Sequence, residues 1–497
     1  MSTSRPRVYV RRIRKSPASE LPEDIWRCIV AFLPEPAEKV IPKLSWLNRS
    51  LYSMAMDLRY REVGWLSASR GMQQTLEKLR TNPGFAKRVR RLHFRAGFLG
   101  PAHSMSSVLS TTSSTLLGSM IEVVRQMDSV SEYTFESCDM LVDVHAQNLF
   151  IAVRKSFSDT LRILRLHARL ALFPLICPGF DSLEELELVF DADKGTKRSD
   201  KILRGPVASL INNSKGTLRN LKICSASEAD LSPLFVALRP CTRLRHFTLD
   251  VSFSIHRFTH PIGLARFLHN NADVLSTLRI ARAKPRSTEY PSTNDQHPWN
   301  KLSGYLVVSN AALSHLTCLA MPMLHDRFDS TLNCLKRCST TLTELYLTNY
   351  YLNSAGFQTL LGLFARTSVL QSLHLGLDFL GVGLFDMLYK QLPKLKRLYL
   401  VLPSAIVERS TSTQPAWNGP LLDAEFGDKI YPSDWGLEDF GAWDRHFISP
   451  IQEPVPRHAQ PEDKEKILED LIAKRVSSLR KLRGAGIQRT VSGVSRL

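Results

Sequence analysis

One short apolar pattern recurs along most of the chain and restricts the folds that it can adopt. Strict copies of Leu-x-x-Leu-x-Leu or Leu-x-x-Leu-x-Ile begin at Leu161, Leu183, Leu218, Leu275, Leu342, Leu370 and Leu395. Looser copies, with other apolar residues at some positions, begin at Val89, Val130, Leu244 and Leu316. Roughly one or two strict copies are expected by chance, so the observed number favours a repeat architecture over unrelated amphipathic helices.

Each copy has the length of one short strand, and such a unit buries its apolar side only against its neighbours. Candidate return helices lie between the copies, for example at 232–238, 262–270 and 356–366. Neighbouring strands then stack into a parallel sheet over one continuous core. The sequence therefore predicts an α/β protein in which residues 85–402 form an irregular leucine-rich-repeat solenoid, with the parallel β-sheet on its concave face.

Side chains alternate along a strand, so the residue between the last two apolar positions of each copy points away from the core. The residues predicted to line the concave face are His93, Thr134, Arg165, Glu187, Lys222, Thr248, Arg279, Ala320, Tyr346, His374 and Tyr399. Tyr346, His374 and Tyr399 lie on consecutive strands, about 5 Å apart. Aromatic clusters of this kind are frequent interface hot spots, so these three are candidate protein-binding residues. The alternative is that the rings only pair across strands and stabilise the sheet.

A compact apolar segment from Leu21 to about Trp65 precedes the repeats. A helix is predicted to begin near Pro22, because proline is tolerated in the first turn of a helix. Apolar residues at helical spacing give this helix one apolar stripe, made of Ile25, Ile29, Phe32 and Leu33. A segment of about 45 residues buries little surface alone, so either the repeats or a partner must cover the stripe.

The motif Leu21-Pro22-x-x-Ile25-Trp26-x-x-Ile29-x-x-Phe32-Leu33, together with the later block 43–49, resembles the F-box. An F-box followed by leucine-rich repeats is the layout of divergent, fungal-type members of that family. The resemblance implies an all-α F-box over residues 19–65 that binds a Skp-type adaptor and, through it, a cullin scaffold. The repeats would then bind a client protein for an SCF-type ubiquitin ligase. The implied adaptor-binding residues are Leu21, Pro22, Ile25, Trp26, Ile29, Leu33, Leu44, Trp46 and Leu47.

Two alternatives compete with the ligase interpretation. The N-terminal helices could be an ordinary cap on the repeats, and the chain could be a protein-binding leucine-rich-repeat scaffold with no ligase role. A nucleic-acid partner is not expected, although the net charge is +18. Residues 1–20 contribute +5 and residues 474–497 contribute +7, so the body of the chain is only mildly basic.

The other segments are predicted from composition and periodicity. They are a basic disordered tail at 1–18, a linker helix at 66–84, an irregular acidic Trp- and Pro-containing segment or cap at 403–460, an amphipathic helix at 461–483 and a basic tail at 484–497. The acidic segment either closes the end of the repeats or binds a basic partner. The final helix either docks on the repeats or binds a partner helix or an acidic membrane surface.

No recognised motif for catalysis, cofactor binding or metal binding occurs. Gly381-Val382-Gly383 lacks the rest of a dinucleotide fingerprint, and the pair Cys334 and Cys338 lacks a second pair of ligands. We therefore expect no enzymatic activity, no cofactor and no metal. The eight cysteines lack paired spacing and the basic N-terminus is not a secretory signal, which predicts a cytoplasmic or nuclear protein. No apolar run reaches about 18 residues, so no transmembrane helix is expected, and no membrane is expected among the partners.

Overall fold

Each of the eleven apolar patterns forms a strand in the computed structural model of this chain. The first residue of every pattern is at most 1% exposed, and the two apolar residues that follow it are at most 3% exposed. Helices and short turns return the chain between successive strands. The α/β leucine-rich-repeat architecture predicted from the sequence is confirmed.

The structure describes residues 21–32, 37–46, 49–99, 107–137, 144–177, 179–192, 198–251, 257–281, 298–308, 313–322, 328–365, 369–380, 382–402, 430–431, 435–444, 472, 476, 479–484 and 487–490. The chain divides into two compact units. The first unit comprises residues 1–135 and 139–161, and the second comprises residues 136–138 and 162–497.

The chain up to residue 161 begins with helices and continues with the first repeats. Its elements are α1 (Glu23–Ala31), α2 (Ala37–Leu44), α3 (Arg49–Tyr60), β1 (Glu62–Trp65), α4 (Arg70–Thr81), α5 (Pro83–Ala86), β2 (Arg91–Arg95), α6 (Ser107–Gln126), β3 (Glu132–Ser137) and α7 (Val144–Phe157). Strands β1 and β2 pair in parallel, and β3 follows β2 in the sheet. Helix α4 lies in the range predicted for a linker helix, 66–84.

A small apolar core holds the first three helices together. The side chains of Ile41, Leu51, Met54 and Ala55 are each at most 4% exposed, and the half-buried Trp26 of α1 packs against them. Trp26 therefore ties α1 to this core, whereas Ile25 and Ile29 remain exposed.

Polar and aromatic contacts fasten α3 to the segment that leads into β2. The guanidinium of Arg88 donates to the carbonyl oxygen of Ser53 at 2.9 Å and also pairs with the carboxylate of Asp57. The rings of Tyr60 and Phe85 stack with their centroids 4.5 Å apart. These contacts join the helical segment to the first repeats within the same unit.

The second unit alternates strands with return segments. Its elements are β4 (Ile163–Ala168), α8 (Phe173–Ile176), β5 (Glu185–Phe190), α9 (Ser199–Ile202), α10 (Ala208–Asn213), β6 (Asn220–Ser225), α11 (Ser232–Ala237), β7 (His246–Val251), α12 (Ile262–Asn270), β8 (Thr277–Ala281), α13 (Pro298–Val308), β9 (Cys318–Pro322), α14 (Phe328–Cys338), β10 (Glu344–Leu352), α15 (Ser354–Phe364), β11 (Ser372–Leu377), α16 (Val382–Gln391), β12 (Arg397–Leu402), β13 (Asp439–Asp444), β14 (Lys481–Gly484) and β15 (Ile487–Thr490). Strands β4 to β14 pair in sequence order and in parallel, and β15 pairs antiparallel with β14.

A bifurcated backbone hydrogen bond sets the register at the start of each repeat. The carbonyl oxygen of Arg162 accepts from the N–H groups of Glu184 and Glu185, at 2.8 and 3.0 Å. The same arrangement precedes β2 and β3 and recurs before each strand from β6 to β13. Because these strands enter the sheet through this bond, side chains at equivalent positions of successive repeats line up in rows.

Threonine hydroxyls reinforce this register at the points where the chain re-enters the sheet. Thr160, Thr217 and Thr341 each precede the first leucine of a pattern. Their hydroxyls donate at 2.8 Å to the carbonyl oxygens of Val130, Leu183 and Leu316, respectively. Each acceptor is the first residue of an earlier pattern, so the bond links equivalent positions.

The repeats begin before the predicted start at residue 85. Strand β1 lies inside the range 19–65, which was predicted to be entirely helical, and that prediction is wrong for its last residues. The pattern is Tyr60-x-x-Val63-x-Trp65, with all three side chains at most 6% exposed. Bulky aromatic side chains fill two of the core positions, so a leucine template does not detect this copy.

The sheet also continues beyond the predicted end at residue 402. Strand β13 carries the pattern Leu437-x-x-Phe440, and both side chains are fully buried. Its first residue, Asp439, donates its N–H to the carbonyl oxygen of Lys396 at 3.0 Å, as in the preceding repeats. The segment 403–460, predicted to be irregular, therefore contributes a further strand.

The C-terminal boundary also differs from the prediction. A helix was predicted over 461–483, but Lys481–Gly484 forms β14 and pairs with β13. The N–H of Arg480 donates to the carbonyl oxygen of Glu438 at 2.8 Å, so the backbone is committed to the sheet at this point. The predicted end of the helix is wrong, and Ile487–Thr490 is a strand where a tail was predicted. Of residues 461–478, only 472 and 476 are described.

Part of the acidic segment packs against helix α16. The rings of Tyr431 and Trp435 are 5.3 Å apart, and Tyr389 lies 5.9 Å from Trp435. The hydroxyl of Tyr431 donates to Asp386 at 2.8 Å. Trp435 is fully buried, so this portion of the segment belongs to the core of the second unit.

Gly263 in the first turn of α12 provides a test of the packing between return helices. An added Cβ would lie 2.9 Å from the backbone nitrogen of Val236, too close for any real contact. Overpacking costs about 1–3 kcal/mol, which exceeds the ~1 kcal/mol that alanine gains over glycine within a helix. We expect Gly263→Ala to lower the urea concentration at the midpoint of unfolding. The transition is monitored by circular dichroism.

Gly362 of α15 is the matched control, since an added Cβ there meets nothing within 4 Å. Gly362→Ala should leave the midpoint unchanged or raise it. Equal midpoints for Gly263→Ala and the unchanged chain would contradict the close approach of α11 and α12.

Candidate protein-binding surfaces

The first candidate surface is an apolar stripe along helix α1, composed of Leu21, Ile25, Ile29 and Phe32. Their exposed fractions are 38%, 45%, 41% and 89%. The spacing of these residues places them along one side of the helix. Trp46, which follows α2, is also exposed, at 80%. Large apolar side chains that cluster at a surface mark sites where proteins associate.

The predicted adaptor-binding residues divide between the stripe and the core. Pro22 is exposed together with the stripe. Trp26 instead packs against the core of α1–α3, and its indole nitrogen is buried with no hydrogen-bond partner among the described residues. Leu33 and Leu47 lie outside the described residues, and the structure describes only the backbone of Leu44. The role of these residues in binding an adaptor stays a prediction.

The second candidate surface is the side of the sheet that faces away from the leucine core, called the outer face below. The predicted concave-face residues occupy one row on it in the second unit. Strand pairing aligns, in order, Arg165, Glu187, Lys222, Thr248, Arg279, Ala320, Tyr346, His374 and Tyr399. The bifurcated backbone bond accounts for this alignment, because it keeps every strand in the same register.

The predicted aromatic neighbours meet in the structure. The ring centroids of Tyr346 and His374 are 5.7 Å apart, and those of His374 and Tyr399 are 5.8 Å apart. Both pairs have the edge-to-face geometry that aromatic rings prefer. Burial lowers the pKa of His374 to about 4, so its imidazole is neutral at physiological pH. The three residues form a continuous aromatic row across β10, β11 and β12.

Hydroxyl groups in this row already bond to neighbouring acids. Tyr399 is only 9% exposed, and its hydroxyl donates to Asp439 at 2.7 Å. The hydroxyl of Tyr346 donates to Glu344 at 3.2 Å, and Arg397 donates to the other oxygen of Glu344 at 2.6 Å. Tyr399 therefore contributes mainly to the sheet, whereas Tyr346 and His374 are the more accessible rings.

Ion pairs satisfy the charged residues near the start of the row. Glu187 accepts from Lys222 at 2.7 Å and lies 3.6 Å from Arg165. The imidazole of His167 and the carboxylate of Asp191 form a hydrogen bond at 2.5 Å. Opposite charges on adjacent strands stabilise a sheet by cross-strand pairing, so Arg165, Glu187 and Lys222 are matched within the sheet.

Sequence analysis missed the acids and bases that flank the aromatic row. Glu344, Arg397 and Asp439 lie two positions before the row on their own strands, so they project from the same face. The sequence carries a signal for these residues: the alternation of side chains that places Tyr346 on this face also places the residue two positions earlier on it. Only the third strand of the group, β13, could not be placed by the leucine template.

The two cysteines considered as metal ligands are core thiols. Cys334 and Cys338 of α14 are fully buried and unpaired, and burial raises their pKa to about 11 and about 12. Within the described ranges, no group of three potential metal ligands comes together. In the same part of the chain, no helix is long and apolar enough to cross a lipid bilayer.

Comparisons with known proteins identify no family. No family model and no curated protein matches the chain. Among solved structures, the chain is similar to the crystal structure of the Rad7 and Elc1 complex in yeast, with a TM-score of 0.34 and 11% sequence identity. That match covers 79% of this chain and 90% of the other chain. A similarity this low carries no argument, so the surfaces described above stand on their own geometry.

The depressed pKa of His374 makes a testable contribution to stability. The unfolded chain binds a proton at His374 below about pH 6.5, whereas the folded chain binds it only near pH 4. The free energy of unfolding that His374 contributes is therefore fully present above about pH 6.5 and is lost as the pH falls toward 4. Linkage sets the loss at no more than about 3 kcal/mol. His374→Phe keeps a ring and should reduce the pH dependence of urea unfolding between pH 4 and 7.

The relevant quantity is the difference between the unchanged and His374→Phe chains, since other groups titrate in the same range. Identical pH profiles for the two chains would contradict a neutral, desolvated imidazole at this position.

Proposed function

We propose that this chain is a non-enzymatic substrate receptor of an SCF-type ubiquitin ligase. In this proposal, helices α1–α3 act as an F-box and bind a Skp-type adaptor, which connects the chain to a cullin scaffold. The outer face of the repeats binds a client protein and presents it for ubiquitination. Such a receptor acts in the cytoplasm or the nucleus and needs no cofactor.

The observation that carries the proposal is the exposure of the α1 stripe. Helices α1–α3 share a small core, built around Ile41 and Leu51, against which Trp26 packs. Ile25 and Ile29 nevertheless remain more than 40% exposed. Burying apolar surface contributes roughly 25 cal/mol per Å² to the free energy of association. Covering this solvated stripe with a partner would therefore stabilise a complex. An adaptor helix or groove that covers the stripe is the helix-in-groove mode of recognition.

A protein partner is also favoured over a nucleic acid at the two candidate surfaces. The stripe is apolar, and several charged residues on the outer face of the second unit are paired within the sheet, as at Glu187 with Lys222 and at Glu344 with Arg397. Nucleic-acid surfaces instead present unpaired basic groups to phosphates. A scaffold without a ligase role is the second candidate, because the outer face would serve it equally well.

The adaptor contact can be tested by removing the stripe. We expect Ile25→Ala with Ile29→Ala to weaken capture of a Skp-type adaptor by about tenfold or more, since buried aliphatic anchors carry much of the binding energy of an interface. Leu21→Ala with Pro22→Ala should act in the same direction. Capture is measured by pull-down and titration with the purified adaptor.

Ile151→Ala is the matched control, because Ile151 of α7 is also 41% exposed but lies on another helix of the same unit. It should leave capture unchanged. Trp26→Ala should instead lower thermal stability, since Trp26 belongs to the core. Full adaptor capture by the stripe variants would refute the ligase role, and a client found without any adaptor would favour the scaffold.

The client surface has its own test. Tyr346→Ala with His374→Ala should reduce the proteins recovered with the full chain in affinity purification followed by mass spectrometry, while adaptor recovery stays constant. Tyr399→Phe keeps the ring and removes only the bond to Asp439, so it should lower stability more than client recovery. Unchanged client recovery after both alanine substitutions would leave the aromatic row with a purely structural role.

A further inference from the structure

An arginine at the centre of the outer face lacks an acidic partner. The Nε atom of Arg279 is buried and has no hydrogen-bond partner among the described residues. The guanidinium makes one weak hydrogen bond, from a terminal nitrogen to the Sγ atom of Cys318 at 3.8 Å. No carboxylate lies within ion-pair distance in the part of the chain that the structure describes. Most of its five N–H donors therefore remain unmatched.

The sheet holds this guanidinium in a fixed position. Arg279 and Tyr346 are separated in the row by Ala320, whose small side chain leaves room for the arginine to extend across β9. The guanidinium carbon lies 5.6 Å from the centroid of the Tyr346 ring, which is a cation–π contact. Stacking of this kind orients the planar fork of an arginine and reduces the freedom lost on binding.

The acidic residue Glu344, which flanks the aromatic row, is already engaged. Glu344 accepts from Arg397 at 2.6 Å and from the hydroxyl of Tyr346 at 3.2 Å. Two other bases of the row, Arg165 and Lys222, are paired with Glu187. Arg279 thus differs from the other bases of its row, and its positive charge also contributes to a lowered pKa of His246, after desolvation and Arg245.

A half-buried guanidinium without a counter-charge costs stability, and the cost is recovered when an anion pairs with it. We propose that Arg279, stacked on Tyr346, binds an oxyanion carried by an acidic peptide segment of the client protein. A carboxylate or a phosphate group accepts two parallel N–H bonds from the fork. The proposal deepens the receptor role of the repeats and rests on that part of the proposed function.

The test uses the full chain and a synthetic library of short random peptides that includes phosphoserine. Selected peptides should be enriched in Glu, Asp or phosphoserine at one position. For an enriched peptide, Arg279→Gln should weaken binding by about tenfold or more, because hydrogen bonds to charged groups are worth that much. The same peptide with Gln in place of Glu should bind both chains equally weakly. Glutamate and phosphoserine versions of the peptide distinguish a carboxylate from a phosphate ligand.

Two control variants separate recognition from folding. Arg204→Gln removes the same charge from an exposed position in the return segment before β6 and should leave peptide binding unchanged. Arg279→Lys keeps the charge but loses the fork, and should bind the acidic peptide less tightly than the unchanged chain. The thermal midpoint of Arg279→Gln should equal or exceed that of the unchanged chain, since it loses an uncompensated cation.

Two outcomes would overturn the proposal. One is a library selection without acidic enrichment, and the other is full binding of the acidic peptide by Arg279→Gln. Adaptor capture is measured on the same variants and should not change, so failure here is distinguishable from failure of the ligase role.

Discussion

The mutual burial of neighbouring repeats is the constraint on which the rest of this structure depends. A single strand with its return segment cannot bury three apolar side chains, so each repeat is stable only between two others. The bifurcated bonds at carbonyls such as that of Arg162 then fix how far each strand slides along its neighbour. Since the register is fixed, any residue that alternates with the core is placed in a row on the outer face. Binding chemistry on that face follows from stacking geometry, not from local loops.

Leucine spacing identifies the strands whose core positions carry leucine and misses those whose core positions carry aromatic rings. Leu164 or Leu186 identifies its strand because leucine recurs at each core position, whereas Trp65 and Phe440 fill equivalent positions with aromatic rings that no leucine template selects. The backbone pairing of Lys481 could not be predicted from the sequence either. A strand at the end of a sheet forms because of its pairing with the neighbouring strand, and its own residues need not show a periodic pattern. The sequence predicted which residues of the row are neighbours across strands. It did not predict that Glu344 accepts hydrogen bonds from Arg397 and Tyr346.

The two candidate surfaces differ in how many of their apolar and polar groups already have partners within the chain. In helix α1, the adjacent residues Ile25 and Trp26 have opposite environments, one solvated and the other packed in the core. A helix that packs some of its apolar residues in a core and leaves others in solvent can bind a partner through the exposed residues. On the outer face, Glu187, Glu344 and the hydroxyls of Tyr346 and Tyr399 already have partners, whereas the guanidinium of Arg279 lacks an acidic one. An apolar contact for a constant adaptor and a charged contact for a client would divide the two tasks between the two units.

Hydrogen exchange of the backbone amides of Glu23–Ala31 tests the central claim most directly, measured in the free chain and with a Skp-type adaptor. The account predicts exchange of the α1 amides that is rapid in the free chain and slows strongly when the adaptor is present. Amides of the buried strands, such as those of β6, should exchange slowly in both states. Equal exchange of α1 with and without the adaptor would contradict a docking role for the exposed stripe.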